Sequence, residues 1–307
     1  MPELPEIETI KRDLEKKIIG KKIAGVEVRE KKIVHPNPKV FATALTGNKF
    51  TKIDRRGKLL IFHLVSPPKF SSEKLRRARP DKFLLAHMKM TGQLVYRYDH
   101  KTIYGGHDVP KTITTLPNNF TRVIFRFQDK SILYFNDMRK FGYLKIVSGE
   151  VKNKILATRF GPDAFTPKLS LRVLKEVLEK RDKSSLKAVL MDQQSIAGIG
   201  NIYADEICFM AGLLPQRKIN TLDVNDVKRL HNCIGHVLAH AVRHRGTTFG
   251  TRTTQNYVDS EGKHGNYLDF LKVYQRDGEK CLKCKKVIIQ KDITAGRGTR
   301  FCKICQK

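Results

Sequence analysis

CLKCKKVIIQKDITAGRGTRFCKIC, residues 281–305, carries the strongest local signal in the chain. Cys281 and Cys284 form one CxxC knuckle and Cys302 and Cys305 a second, with seventeen residues between them. Each knuckle can set two thiolates about 2.3 Å from one metal ion, and two knuckles complete a tetrahedral site. One structural Zn2+ is the natural occupant, and a disulfide pair or four unrelated thiols is the alternative. VII at 287–289 reads as strand material, and Lys285, Lys286, Lys291, Arg297 and Arg300 lie between the knuckles. The segment therefore reads as a metal-pinned β-hairpin with a basic tip, suited to a nucleic-acid groove. So short and polar a module depends on its metal to stay folded.

Upstream of this hairpin the chain reads as helices: LRVLKEVLEK from Leu171, LKAVLMDQ from Leu186, NIYADEICFMAGL from Asn201 and VNDVKRLHNCIGHVLAHAVRH from Val224. Further back, from Lys21 to about Ile146, short β-rich runs dominate, among them KIAGVEVRE, KLLIFHLV, FLLAHM, TRVIFRFQ, SILYF and YLKIV. Strands at this spacing point to a sandwich or barrel. The chain opens with Ile7, Ile10, Leu14 and Ile18 at helical spacing, stopped by Gly20. Residues 147–165 are turn-rich, with little periodicity, and mark a boundary. The segments 66–82 and 100–119 interrupt the strands and read as surface loops, either extending a nucleic-acid contact or simply solvated.

The 307 residues hold 60 Lys plus Arg against 30 Asp plus Glu, a formal charge of +30. Such charge is costly in self-repulsion unless the partner is a polyanion, so nucleic acid leads over ordinary solvated faces. A hydrophobic fraction of 40% excludes a disordered polycation. No apolar run approaches the roughly 18 residues of a spanning helix. MPELPEIET, acidic and punctuated by proline, has no signal-peptide layout, so the cytoplasm is expected.

Two further constellations carry chemistry. Gly198-Ile199-Gly200-Asn201 precedes a helix, where backbone N–H groups can approach an anion and Asn201 can cap the helix while donating to a phosphate. A glycine-rich turn is, however, more often only a tight connection. At the N-terminus, removal of Met1 exposes Pro2 as a secondary amine with a pKa of about 8. That amine can attack an electrophilic sugar carbon and form an iminium, with Glu3 and Glu6 beside it as proton donors or acceptors. The plain alternative is that MPE merely precedes a helix.

MPELPEIET at 1–9, HMKMTG at 87–92, FNDMRKFG at 135–142, LMDQQSIAGIGNIYADE at 190–206 and GRGTRFCKICQK at 296–307 together resemble the bacterial formamidopyrimidine-DNA glycosylases of the Fpg/Nei superfamily, end to end and in order. The resemblance implies an α+β chain: an N-terminal β-sandwich with an N-terminal helix, a helical helix-two-turn-helix domain and a C-terminal zinc-finger β-hairpin. The expected boundaries are 1–150 for the catalytic sandwich, 151–165 for a linker, 166–270 for the helical domain and 271–307 for the zinc finger. It implies a monomeric base-excision-repair enzyme of the bacterial cytoplasm, associated with the nucleoid, that acts on damaged double-stranded DNA. Such an enzyme removes oxidised purines, 8-oxoguanine and formamidopyrimidines, then cleaves by β,δ-elimination.

Carried over by position, Pro2 matches the Schiff-base nucleophile and Glu3 the acid assisting ring opening. Lys58 matches a catalytic-site lysine contacting phosphate, and Arg297 the arginine at the hairpin tip. His87 and Asn201 match further phosphate contacts, and Glu6 falls at the lesion pocket. Met90, Arg139 and Phe141 match three residues that fill the gap left by a flipped nucleotide, apolar wedges offsetting lost stacking and a planar fork reading the widowed base. Without the motif, Met90 and Phe141 would read as core and Lys58, Arg139 and Arg297 as solvated charge. Met138 and Lys140 stand where the family usually has Pro and Arg, and FGTRTTQNYVDSEGKHGN is not standard enough to name lesion contacts. Leu4, in PELPE, favours the purine branch over an oxidised-pyrimidine glycosylase, and a non-catalytic zinc-ribbon DNA-binding protein leaves Pro2, Glu3 and Lys58 unexplained. His236, His240 and His244 lie at i, i+4, i+8 and read as an amphipathic-helix stripe rather than a second metal site. Cys208 and Cys233 read as small buried hydrophobes.

Overall fold

A computed structural model describes residues 2–65, 82–99, 101–106, 115–247 and 266–307. The chain forms two compact units: Glu6–Leu156 with the segment from Arg245, and Ala157–His244 with Asn266–Lys307, to which Glu3–Pro5 also belongs.

In the first unit, helix α1 (Leu4–Ile18) buries the Ile7, Ile10, Leu14 and Ile18 stripe and stops at Gly20, whose φ of +80° suits glycine. Among the described residues ten strands follow, with a short helix among them: β1 (Ile23–Val28), β2 (Val34–His35), α2 (Pro38–Leu45), β3 (Lys49–Arg56), β4 (Leu59–Val65), β5 (Lys82–His87), β6 (Gly92–Tyr98), β7 (Lys101–Gly106), β8 (Thr121–Phe127), β9 (Ile132–Asp137) and β10 (Tyr143–Ser148). They make two five-stranded sheets, ordered β1-β8-β9-β6-β7 and β2-β10-β5-β4-β3, antiparallel except where β2 meets β10. Apolar residues from both sheets share one core with α1 and α2. At its centre Phe50 packs against Phe62 at 5.2 Å and reaches Phe125 and Phe127 of the other sheet at 6.5 and 6.4 Å. This is the expected sandwich. The 100–119 loop is a partial correction, because Lys101–Gly106 pairs in register with β6 as an edge strand. Of the 66–82 segment, Lys82 opens β5 and residues 66–81 lie outside the described residues.

Helix α3 (Gly149–Arg159) occupies the start of the stretch read as turn-rich. None of its residues is buried, so no apolar periodicity betrays it. In the second unit, α4 (Leu171–Glu179), α5 (Leu186–Met191), α6 (Asn201–Ala211) and α7 (Val224–Arg243) match the four helical runs. Ser170 caps α4, an Asp223/Asp226 capping box opens α7, and left-handed Gly212 ends α6. The hairpin strands are β11 (Gln290–Thr294) and β12 (Arg297–Phe301), joined through Ala295 and Gly296, both at positive φ as a tight hairpin turn demands. The strand expected at 287–289 begins instead at Gln290. Val287 accepts from the Cys281 N–H, and Ile288 and Ile289 form single bridges to Lys280 and Asp277, so that stretch is used in closing the first knuckle. Among the described residues no helix is long and apolar enough to cross a membrane.

Candidate functional site

In the first unit, α1 anchors the turn that carries Lys58. Glu8 accepts from Arg55 Nε at 2.9 Å and Arg12 Nε at 2.8 Å, and Arg55 also donates to the Gly57 carbonyl at 2.9 Å. Burial raises the Glu8 carboxyl, but the two guanidinium groups outweigh it and the net shift is downward. Buried Lys58 sits in this turn, beside Leu59, which pairs in register with His87. Burial, with the Lys89 and Lys58 charges, pushes His87 down to about 3. The Lys89 N–H donates to His87 Nδ1 at 3.0 Å, so the neutral ring carries its proton on Nε2 and presents a donor there.

Met90 and Phe141 are not core residues: they are 41% and 53% exposed. Arg139 lies between them, one terminal nitrogen 3.3 Å from Met90 Sδ and its guanidinium 4.7 Å from the Phe141 ring centre. Two loops thus bring the three side chains into one exposed cluster. Lys140, at a φ of +57°, pairs with Glu30. Glu6 is buried, and its Oε1 accepts from the Thr247 N–H at 2.7 Å and the Thr247 hydroxyl at 3.1 Å. A side chain on Gly246 would meet Glu6 Oε1 at 2.4 Å, so glycine is required there. The segment FGTRTTQNYVDSEGKHGN, where a lesion-reading loop is expected, spans 249–266, and all of it but Asn266 lies outside the described residues.

In the second unit, the glycines of Gly198-Ile199-Gly200 serve a purpose that the sequence did not suggest. Asn201 is not the cap of α6; Gly200 holds that position without a side chain, and Glu3 supplies the missing acceptor. Glu3 Oε1 accepts from the Ile202 N–H at 3.0 Å and Oε2 from the Tyr203 N–H at 3.5 Å. A Cβ on Gly200 would stand 2.3 Å from Glu3 Cδ, and one on Gly198 2.3 Å from Leu4 Cδ1. The Leu4 N–H donates to the Gly198 carbonyl at 3.1 Å. The helix N-terminus that suits an anion is therefore taken by the carboxylate next to Pro2 in the chain. Pro2 itself is buried, and Met1 lies outside the described residues.

Asn201 Nδ2 instead donates to the Gly298 carbonyl at 3.2 Å, next to Arg297, which is exposed at the hairpin turn. Two residues the sequence reading missed hold this strand in place. Fully buried Lys187 pairs with fully buried Asp205 at 2.7 Å and donates to Thr299 Oγ1 at 2.8 Å and the Gly298 carbonyl at 3.1 Å. Asp205 also accepts from the Arg300 N–H at 3.0 Å, and burial pushes its carboxyl up to about 6 against the pull of Lys187. Glu206 accepts the N–H groups of Lys272, Val273 and Tyr274 at 2.8 to 2.9 Å. The available signal was a lysine in LKAVLM and two acids in NIYADEICF, charges amid apolar helix residues.

Four cysteine sulfurs lie within 4.8 Å of one another, and none of the six cysteines is in a disulfide. Cys281–Cys305 and Cys284–Cys302 are 3.8 and 3.7 Å apart. A tetrahedron with arms of about 2.3 Å has edges of about 3.8 Å, so the donor set fits one thiolate-bound ion. Among the described residues His236 and His240 of α7 and His244, its C-cap, join no such group; His240 packs on Tyr267 and Phe270 at 5.5 and 4.8 Å. Cys208 is buried and its thiol is pushed far up by burial; Cys233 is half-buried.

Residues 1–144 match the formamidopyrimidine-DNA glycosylase N-terminal domain, and residues 160–253 the formamidopyrimidine-DNA glycosylase H2TH domain. Formamidopyrimidine-DNA glycosylase of Symbiobacterium thermophilum is 38% identical over 100% of this chain and 89% of the relative, and that of Heliobacterium modesticaldum 36% over the whole of both. Among solved structures, Lactococcus lactis Fpg with DNA containing an abasic site aligns over 100% of both chains, with 30% identity and a TM-score of 0.81. A mutant of the same protein with Fapy-dG containing DNA aligns with a TM-score of 0.82 at 30% identity, again over the whole of both chains. The chain belongs to the formamidopyrimidine-DNA glycosylase family.

Proposed function

We propose that this glycosylase removes oxidised purines, 8-oxoguanine and formamidopyrimidines, from damaged double-stranded DNA and then cleaves the strand at the abasic site. The observation that carries the reading is the end-to-end likeness to an Fpg in complex with abasic-site DNA.

With Met1 removed, the Pro2 nitrogen is a secondary amine, partly neutral at pH 7. Its lone pair attacks C1′ as the bond from C1′ to the base breaks; the base leaves with that electron pair and takes a proton from water, and the N–H proton of Pro2 passes to Glu3. Glu3 passes a proton to O4′ as the C1′–O4′ bond opens, leaving an iminium between Pro2 and C1′. The iminium acidifies C2′–H; loss of that proton expels the 3′ phosphate, and a second proton loss from C4′ expels the 5′ phosphate. Hydrolysis then frees Pro2. The carboxylate's two helix N–H contacts keep Glu3 from swinging away.

Lys58, Arg297, Asn201 and the Nε2–H of His87 contact phosphates. Met90, Arg139 and Phe141 fill the space of the flipped nucleotide; their exposure supports this over core packing. Glu6, fixed by Thr247, lines the lesion pocket. Cys281, Cys284, Cys302 and Cys305 hold one Zn2+, which cross-links the hairpin and takes no part in the reaction. The working division is 1–150, 151–165, 166–270 and 271–307, in a monomer of the bacterial cytoplasm that works on the nucleoid.

The test incubates the processed protein, with borohydride present, with duplexes carrying 8-oxoguanine, an oxidised pyrimidine or an abasic site. Trapped adduct on the abasic duplex and fastest release of 8-oxoguanine are expected. Preference for the pyrimidine overturns the substrate class, and absence of any adduct overturns the lyase.

A further inference from the structure

The cluster of Met90, Arg139 and Phe141 is exposed, so packing in a core does not hold it. Long side chains on two mobile loops would lose conformational freedom on binding, and a binding surface gains when that order is built beforehand. Beneath the cluster lies a device that does this. Asp137, the last residue of β9, is fully buried. Its Oδ1 accepts from the Thr91 hydroxyl and, at 3.2 Å, from the Arg139 N–H. Its Oδ2 accepts from the Gly142 N–H at 2.7 Å. Thr91 Oγ1 in turn accepts from the Arg139 N–H at 3.0 Å. One carboxylate and one hydroxyl thus join the turn carrying Met90 to both ends of the loop carrying Arg139 and Phe141.

The surroundings fix the carboxylate itself. The Asp137 N–H donates to the Phe120 carbonyl at 2.9 Å, and Arg122 Nε donates to the Asp137 carbonyl at 2.8 Å. A Cβ on Gly142 would lie 2.9 Å from Phe135 and 3.0 Å from Asp137 Oδ2, so only glycine brings that N–H so near. A Cβ on Gly92 would lie 2.4 Å from the Met88 carbonyl oxygen, which closes the other turn as tightly. Asparagine cannot replace Asp137, because its NH2 would face either the Gly142 N–H or the Thr91 and Arg139 donors.

We propose that Asp137 and Thr91 are positioning residues that preset the Met90, Arg139 and Phe141 cluster for entry into the DNA stack. The proposal rests on the reading of that cluster given above. It assigns Asp137 no contact with substrate; it acts through the two loops.

Thr91→Val keeps the shape and removes the hydroxyl; Thr91→Ser keeps the hydroxyl. Each is compared with the wild-type protein in the excision of 8-oxoguanine, in the cleavage of a preformed abasic site and in the fluorescence of 2-aminopurine beside the lesion, which rises on unstacking. Thr91→Val is expected to raise KM for the damaged-base duplex about tenfold, the scale of losing a hydrogen bond to a charged group, and to delay the fluorescence rise. Cleavage of the abasic duplex, already unstacked, should lose less, and Thr91→Ser should restore all three readouts. Asp137→Asn should shift the same readouts in the same direction. Wild-type behaviour of Thr91→Val and Asp137→Asn overturns the proposal, as does an equal loss in both activities that tracks a fall in Tm. If the wild-type protein itself gives no fluorescence rise, the reading of the cluster fails, and this proposal with it; a failure confined to the variants overturns the proposal alone.

Discussion

Gly200→Ala adds one methyl group at the place where the account is most exposed. Gly200 has φ −128° and ψ −159°, extended backbone that alanine adopts readily, so the change brings no backbone strain. The new Cβ would, however, stand 2.3, 2.4 and 2.6 Å from Cδ, Oε1 and Oε2 of Glu3, where ordinary contact begins at 3.4 Å. The carboxylate must retreat by about 1 Å, a misplacement that can cost about 100-fold in rate when it moves a reacting group. Its contacts with Ile202 and Tyr203, at 3.0 and 3.5 Å, stretch or break. A hydrogen bond to a charged group is worth about 1.5–3 kcal/mol, so Tm should fall by several degrees. Single-turnover release of 8-oxoguanine, with calorimetry in parallel, makes the measurement. A wild-type rate and Tm in Gly200→Ala would refute the claim that this glycine exists to seat Glu3.

Metal removal or Cys302→Ser should unfold the hairpin and weaken DNA binding while the two sheets of the first unit stay folded; chelation followed by circular dichroism and a binding titration checks this. Lys187→Met should cost about 3–5 kcal/mol by leaving Asp205 buried without its cation, and Lys187→Met with Asp205→Leu should recover much of it, read from urea midpoints. His87 is held neutral, its folded pKa of about 3 lying below the ordinary 6.5. The unfolded chain thus binds the extra proton first, and stability is lost as pH falls from about 6.5 towards 3. His87→Asn should flatten that part of the stability profile, and an unchanged acid limb would refute the burial of a neutral ring.

Patterns local in the chain were legible before the structure. The α1 stripe, the four helices of the second unit, the strand runs and the cysteine knuckles all rest on neighbours a few residues apart. What escaped is made of partners far apart. Glu3 caps a helix 199 residues away, and no local pattern around Asn201 distinguishes its own capping from that of a distant carboxylate. The glycines of Gly198-Ile199-Gly200 likewise read as room for a phosphate, when the nearest claim on that room comes from Leu4 and Glu3. Exposure of Met90 and Phe141 depends on which loops face solvent, which residue type alone assigns the opposite way. β3 was not among the runs picked out because its two buried residues, Phe50 and Ile53, stand apart among charged and polar ones.

The central claim is that the nitrogen of Pro2 is the nucleophile, and blocking it is the most direct test. Protein with a free Pro2 and protein with a retained Met1 or a short N-terminal extension are each incubated with an abasic duplex and borohydride, and the adduct is mapped by mass spectrometry. The account predicts adduct on Pro2 in the first case and loss of adduct, base release and strand cleavage together in the second. Full adduct from the blocked protein, with Lys58 the first residue to inspect, would contradict it.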